Sequence, residues 1–279
     1  MKRSILLASL LLVVAGLQTA WAQAVSVNLT NGQKVFYNVD EVESITFPDN
    51  IVGGHEYVEI GGLKWATMNV GATTVAGSHA TCYGDYFAWG ETEPRYMTIT
   101  RSSAPSATFT WRNGYSSGYR IDNKPTYTGE TLDASHDAAT ANWGGTWRTP
   151  TEAEYEALAA ACSGSSANGQ TPVELTNAID EGGIYWLSST QTIEPAYTGV
   201  AGLLFVSKAD ISRRVFFPAS GYVSGTSLCN GGTGGGNWSS SLYTSYTDGA
   251  YSLIFYSLYV DPSGYYGRWC GRGVRPVSD

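Results

Sequence analysis

The sequence predicts an α+β fold of short strands, one clear helix and long loops, preceded by a small β-hairpin. Three observations carry this expectation. Asn31-Gly32 stands between alternating apolar runs, the strongest local hairpin signal. Thr151 and Glu154 form a T-x-x-E capping box after Pro150, and Tyr155, Leu158, Ala159 and Cys162 then recur at i, i+3, i+4 and i+7. The rest alternates short apolar runs with loops in a chain of 279 residues that holds 33 Gly and is only 14% charged. That composition excludes a long coiled coil and a charge-rich disordered chain.

In chain order, Lys2 and Arg3, the apolar run Ile5 to Leu17, and Ala20-Trp21-Ala22 read as a secretory signal peptide over residues 1–22. The apolar run is shorter than the roughly 20 residues a membrane-crossing helix needs, so no membrane span is expected. Residues 23–54 read as the hairpin and a linker. Val25, Val27 and Leu29 form one arm, Val35, Tyr37 and Val39 the other, with Ile45 and Phe47 beyond. Residues 55–279 read as one domain. Its strand candidates are Tyr57 to Ile60, Leu63 to Met68, Tyr83 to Trp89, Ile184 to Ser188, Gly202 to Val206, Val215 to Pro218, Tyr251 to Val260 and Gly273 to Val277. A weaker helical stretch runs from Asp133 to Ala141, and Gly231 to Gly236 reads as a flexible loop.

Removing the leader leaves 14 basic against 24 acidic residues, a net charge of −10, with no basic cluster. Such a surface repels phosphate backbones, so no nucleic-acid partner is expected. Catalytic and metal motifs fail on context. Gly114-Tyr115-Ser116-Ser117-Gly118 matches G-x-S-x-G but lacks the helix that exposes a nucleophilic serine. His55, His79 and His136 have no metal spacing, and His136-Asp137 reads as the polar side of a short helix. Asp210, Asp248 and Asp261 are single loop carboxylates. Hence no cofactor and no metal are assigned. Asn28-Leu29-Thr30 and Asn237-Trp238-Ser239 match the glycosylation sequon. Cys82, Cys162, Cys229 and Cys270 allow three pairings in an oxidising compartment, and none has CxxC spacing.

Residues 251–270, YSLIFYSLYVDPSGYYGRWC, hold five Tyr, three Ser and two Gly among twenty. This is the composition of a recognition surface, since Tyr offers large contact area with little rotamer entropy to lose. Tyr251, Leu253 and Phe255 share one face of a strand, and Ser252, Ile254 and Tyr256 the other. Periodicity leaves open which face is buried.

Leu63 to Val70, Tyr83 to Gly90, Ala141 to Thr151 (ANWGGTWRTPT) and Phe217 to Gly221 resemble, in order, blocks of the Fibrobacter major paralogous domain family of secreted bacterial proteins. The resemblance covers about residues 55–279. It implies a C-type-lectin-like fold, in which first and last strands pair, here Tyr57 to Ile60 with Gly273 to Val277, and long loops build a ligand face. Asn237 to Ser241 and Ala250 to Val277 resemble the variable region, about 237–277, of proteins diversified by a retroelement that rewrites asparagine codons. In that subgroup Leu253, Phe255, Val260, Pro262, Arg268 and Gly271 match the fixed scaffold.

The positions where the template would carry Asn are Ser252, Ile254, Tyr256, Leu258, Tyr259, Asp261, Gly264, Tyr265, Tyr266, Gly267 and Cys270. Mutating the adenines of AAC leaves codons ending in C, which encode these residues but not Lys, Glu, Gln, Met or Trp. Residues 251–270 contain no Lys, Glu, Gln or Met, and Trp269 departs from the pattern. The resemblance thus implies that Leu253 and Phe255 point inward and Ser252, Ile254 and Tyr256 outward. It also implies that Cys270 is a product of diversification, leaving at most one disulfide.

The expected function is a secreted or surface-displayed binding protein whose ligand, a protein or a glycan, meets these eleven positions and Trp269. An alternative is an adhesive subunit of a surface fibre. A further one rests on the likeness of this fold to formylglycine-generating enzymes, which need a reactive cysteine pair in a C-terminal cleft. Only Cys270 lies in that stretch, so the chain is read as not an enzyme.

Overall fold

A computed structural model describes residues 24–28, 34–38, 50–101, 106–111, 127–165 and 169–279. The chain divides into two compact units, Met1–Asp49 and Asn50–Asp279. In the first, β1 (Ala24–Asn28) and β2 (Lys34–Asn38) pair antiparallel with Val27 opposite Val35. The leader, the Asn31-Gly32 turn, Ile45, Phe47 and the 114–118 motif lie outside the described residues.

The second unit is α+β and strand-rich. It runs β3 (Ile51–Val52), β4 (His55–Ile60), β5 (Leu63–Ala66), α1 (His79–Cys82), β6 (Tyr96–Arg101), β7 (Ala107–Trp111), α2 (Ala138–Trp143), α3 (Glu152–Ser163), β8 (Val173–Glu174), β9 (Gly183–Leu187) and β10 (Gly202–Val206). There follow β11 (Arg214–Pro218), β12 (Tyr222–Ser224), β13 (Ser227–Cys229), β14 (Gly234–Leu242), β15 (Gly249–Tyr256), β16 (Tyr259–Gly267) and β17 (Val277–Ser278). Two four-stranded sheets have the orders β11-β10-β9-β8 and β17-β5-β4-β3, and a three-stranded sheet has the order β14-β15-β16.

Helix α3 forms where the capping box placed it. Thr151 Oγ1 accepts from Glu154 N at 3.2 Å, and Glu154 Oε2 accepts from Thr151 N at 2.7 Å. It ends at Gly164, whose φ of +86° is the left-handed stop glycine favours. Its apolar stripe, Tyr155, Leu158, Ala159 and Cys162, joins Trp65, Leu203, Phe205, Phe217, Leu253, Phe255 and Val260 in one core. Burying a side chain the size of Leu253 or Phe255 contributes about 1.5–3 kcal/mol, so this cluster fixes how α3 meets the sheets. The last strand returns to the start of the unit, but Val277 lies opposite Trp65 on β5 and not against Tyr57 to Ile60 as expected, because β4 already has β5 on one edge and β3 on the other.

Several elements differ from expectation. Tyr83 to Trp89 forms no strand. Gly84 has φ +73°, a Cβ there would lie 2.4 Å from Val70 O, and Tyr86 N donates to the Tyr96 phenol rather than to a neighbouring strand. Only Phe87 makes a bridge, to Arg272. The weaker helix starts late, at Ala138. Asp133 Oδ1 accepts from the backbone of Ser135 and His136, closing a turn, and Asp137 caps α2 through Ala139 N and Thr140 N. Tyr251 to Val260 is not one strand but most of a hairpin that turns at Ser257 and Leu258. Of Gly273 to Val277 only Val277 lies in a strand.

Half of the expected glycine loop is strand, since Gly234, Gly235 and Gly236 open β14. A Cβ on Gly235 would lie 2.3 Å from the Phe255 ring, and one on Gly236 1.6 Å from Arg272 Nη1, so neighbours fill the space a side chain would need.

Candidate ligand-binding face

The sheet β14-β15-β16 decides what the Tyr-rich segment can do. Leu253 and Phe255, with Val260 opposite Phe255, face α3 and are fully buried. The alternate residues Ala250, Ser252, Ile254 and Tyr256 take the other face. Their partners across the sheet are Leu242, Trp238, Gly236 and Gly234 on β14, and Tyr266, Gly264, Asp261 and Tyr259 on β16. A register shift between Ser252 and Ile254 lets Asp261 and Gly264, three residues apart, share that outer face.

The outer face is layered. Its floor is buried: Ser252 is fully covered and Ile254 nearly so, in contrast to the display expected for them. Gly264 leaves room for Ile254, whose Cδ1 lies 2.4 Å from where a Gly264 Cβ would sit. Above and around the floor stand Tyr256 and Tyr266, both half-buried, Asp261, and the more exposed Tyr259. The Tyr259 phenol donates to Asp261 Oδ2 at 2.9 Å, and this bond, with burial, raises its pKa. Asp261 Oδ1 accepts from Ser263 N, so the carboxylate is held in place. Leu258, at the tip of the hairpin, is 74% exposed, a large apolar side chain offered to solvent.

The remaining candidates lie elsewhere. Tyr265 pairs with Tyr251 on the α3 side of the sheet and stacks on Tyr243, ring centroids 4.1 Å apart. Gly267 closes β16 where the Trp269 ring packs, a Cβ there falling 2.2 Å from Trp269 Cζ2. Trp269 is half-buried against a second core cluster with Phe87, Trp89 and Trp238, and Cys270 is a buried member of it. Burial pushes the Cys270 thiol pKa up. All four cysteines are free thiols, so none of the pairings considered is formed.

Three residues outside the expected set, Arg272, Tyr222 and Asn230, complete the outer face. The Arg272 guanidinium lies 3.9 Å from the Tyr266 ring centroid, 5.1 Å from Tyr222 and 5.5 Å from Trp238, and Arg272 Nη1 donates to Ser252 Oγ at 3.2 Å. The Tyr222 and Tyr266 rings are 5.3 Å apart. Asn230, in the left-handed region at φ +58°, donates from Nδ2 to the Tyr256 phenol at 3.0 Å. Burial raises the pKa of Tyr222 and Tyr256, and the nearby Tyr266 phenol adds to it, so both stay protonated donors at neutral pH. The glycines of β14 were the available signal for Arg272, since they mark a close approach by another group.

Other motifs resolve as structure. His136 Nδ1 meets Asp133, not Asp137, at 2.8 Å on the surface, while Asp137 is buried and also accepts from Thr149 N and Oγ1. His55 stacks on Trp143 at 3.6 Å. Asn237 of the second sequon is fully buried and donates to Asn69 Oδ1, which closes it to glycosylation in the folded state. Among the described residues no three His, Cys, Asp or Glu gather as a metal site, and no helix is long and apolar enough to cross a membrane. Comparison with protein-family models, curated proteins and solved structures finds no match to this chain.

Proposed function

We propose that this is a secreted or surface-displayed ligand-binding protein with a C-type-lectin-like domain and no catalytic role. Its outer face on β15 and β16 is the contact surface, diversified by a retroelement, and meets a protein or glycan. The observation that carries this reading is the exposure of Leu258 and Tyr259 beside Tyr256, Asp261 and Tyr266, on a sheet whose opposite face is locked into the core. Rigid backbone beneath exposed aromatics limits the entropy lost on binding. Support for the lectin-like topology comes from β17, which returns to pair with β5.

The test is to probe an array of glycans and purified cell-surface ectodomains with the mature protein and with a Leu258→Ala, Tyr256→Ala, Tyr259→Ala variant. Near-UV circular dichroism checks that the variant folds. The reading expects the wild-type signals to fall by about tenfold or more, as for loss of central aromatic anchors. Undiminished signals would defeat it. Tyr265→Ala, on the other side of the sheet, separates the two faces.

A further inference from the structure

Two arginines near the C-terminus are fully buried, and they are treated differently. Arg275 donates to three oxygens, Asn69 Oδ1, Ala66 O and Phe216 O, each at 2.9 Å, and its guanidinium lies 4.5 Å from the Phe217 ring centroid. It is satisfied as a structural pin. Among the described residues Arg272 has one side-chain hydrogen bond, to Ser252, and its Nε has no partner. No carboxylate among the described residues balances it; the groups around it are the phenols of Tyr222, Tyr256 and Tyr266 and the Cys270 thiol. A buried cation that lacks a counter-charge is costly, and ring faces offset only part of that cost. The acid nearest in the sheet, Asp261, is engaged by Tyr259 and Ser263.

The three phenols come from different segments, β12, β15 and β16, and each is half-buried, so each keeps an edge in solvent. Neutral phenols are donors, and donors gathered over a cation form a setting for a single negative charge. We propose that Tyr222, Tyr256 and Tyr266 above Arg272 take a carboxylate of the ligand, the phenols donating to its oxygens and the buried guanidinium supplying the balancing charge. This deepens the ligand-binding reading and rests on it. The group would be a sialic-acid-type sugar carboxylate or an acidic side chain, the same chemistry from two sources.

The experiment uses the mature protein with ring-13C-labelled tyrosine, with resonances assigned through Tyr222→Phe, Tyr256→Phe and Tyr266→Phe variants. The probes are N-acetylneuraminic acid and N-acetylglutamate methylamide, each against its neutral methyl ester, at constant ionic strength in sodium chloride. The acids should shift the Tyr222, Tyr256 and Tyr266 signals saturably and the esters should not. The stronger of the two acids identifies the source. Each Tyr→Phe change keeps the ring in place, should leave the fold intact, and should weaken acid binding about tenfold, the loss of one hydrogen bond to a charged group. Equal titration by esters and acids, or acid shifts confined to other tyrosines, would overturn the carboxylate site. Those results would leave the array comparison standing, whereas array signals that survive the Leu258, Tyr256, Tyr259 variant would remove the wider reading and this site with it.

Discussion

Asn69 Oδ1 accepts from Arg275 Nε at 2.9 Å and also from Asn237 Nδ2 at 3.0 Å, all three residues being fully buried. Through this one oxygen the segment after β5, strand β14 and the C-terminal segment are tied together. Asn69 Nδ2 in turn donates to Tyr83 O.

Replacing Asn69 by Ala should therefore destabilise the domain by about 2–3 kcal/mol, because a buried guanidinium and an amide lose an acceptor together. Urea unfolding followed by fluorescence measures this. A loss within about 0.5 kcal/mol of zero, as at an ordinary surface site, would show that the junction does not bear on stability.

Glu154 gives a pH dependence with a defined sign. Burial opposes its ionisation, but Arg148, donating at 2.8 and 2.6 Å, and Thr151 N outweigh that and hold the carboxyl below its ordinary value of 4.5. A carboxyl depressed on folding adds stability above the unfolded pKa and loses it as pH falls through the folded one. Wild type should then exceed Glu154→Gln in stability at neutral pH, and the gap should close below pH 4.5. A gap that is unchanged in acid would contradict the ion pair.

Gly264 and Ile254 should be coupled. Gly264→Ala places a Cβ 2.4 Å from Ile254 Cδ1 and should cost about 1–3 kcal/mol by overpacking. Adding Ile254→Val removes that methyl, so the double variant should recover part of the loss, a non-additivity of at least about 0.5 kcal/mol in a double-mutant cycle. Strict additivity would mean that the two positions vary independently.

The thiols should react in two classes. Burial raises Cys82 and Cys162 to about 12 and Cys270 upward as well, whereas Cys229 is half-exposed. In a thiol-reagent assay at pH 8 the native protein should label Cys229 quickly and the other three only on unfolding. Fast labelling of Cys270, or a missing thiol after unfolding without reductant, would contradict this arrangement.

What the sequence disclosed follows from where the information is local. The α3 capping box, its apolar stripe and the β10 run at Gly202 to Val206 are written in neighbouring residues, and they formed with those bounds or nearly so. The turn at Ser257 and Leu258 has no Gly, Asn or Pro to announce it, so two strands read as one. Gly234 to Gly236 read as loop because their reason lies elsewhere in the chain, in Phe255 and Arg272. The Tyr-rich composition pointed to β15 and β16. Tyr222 and Arg272 came to that face only through long-range pairing, Val223 bridging Gly271 and Phe87 bridging Arg272.

The central claim, that the outer face is a diversified contact surface, is tested most directly by sequencing the coding DNA for residues 237–279 with the few kilobases downstream. The account predicts codons ending in C at Ser252, Ile254, Tyr256, Leu258, Tyr259, Asp261, Gly264, Tyr265, Tyr266, Gly267 and Cys270, with a near-copy carrying AAC at those codons beside a reverse-transcriptase gene. Ordinary codon usage with no such copy would contradict it, and the tyrosines would then be fixed surface residues of an undiversified domain.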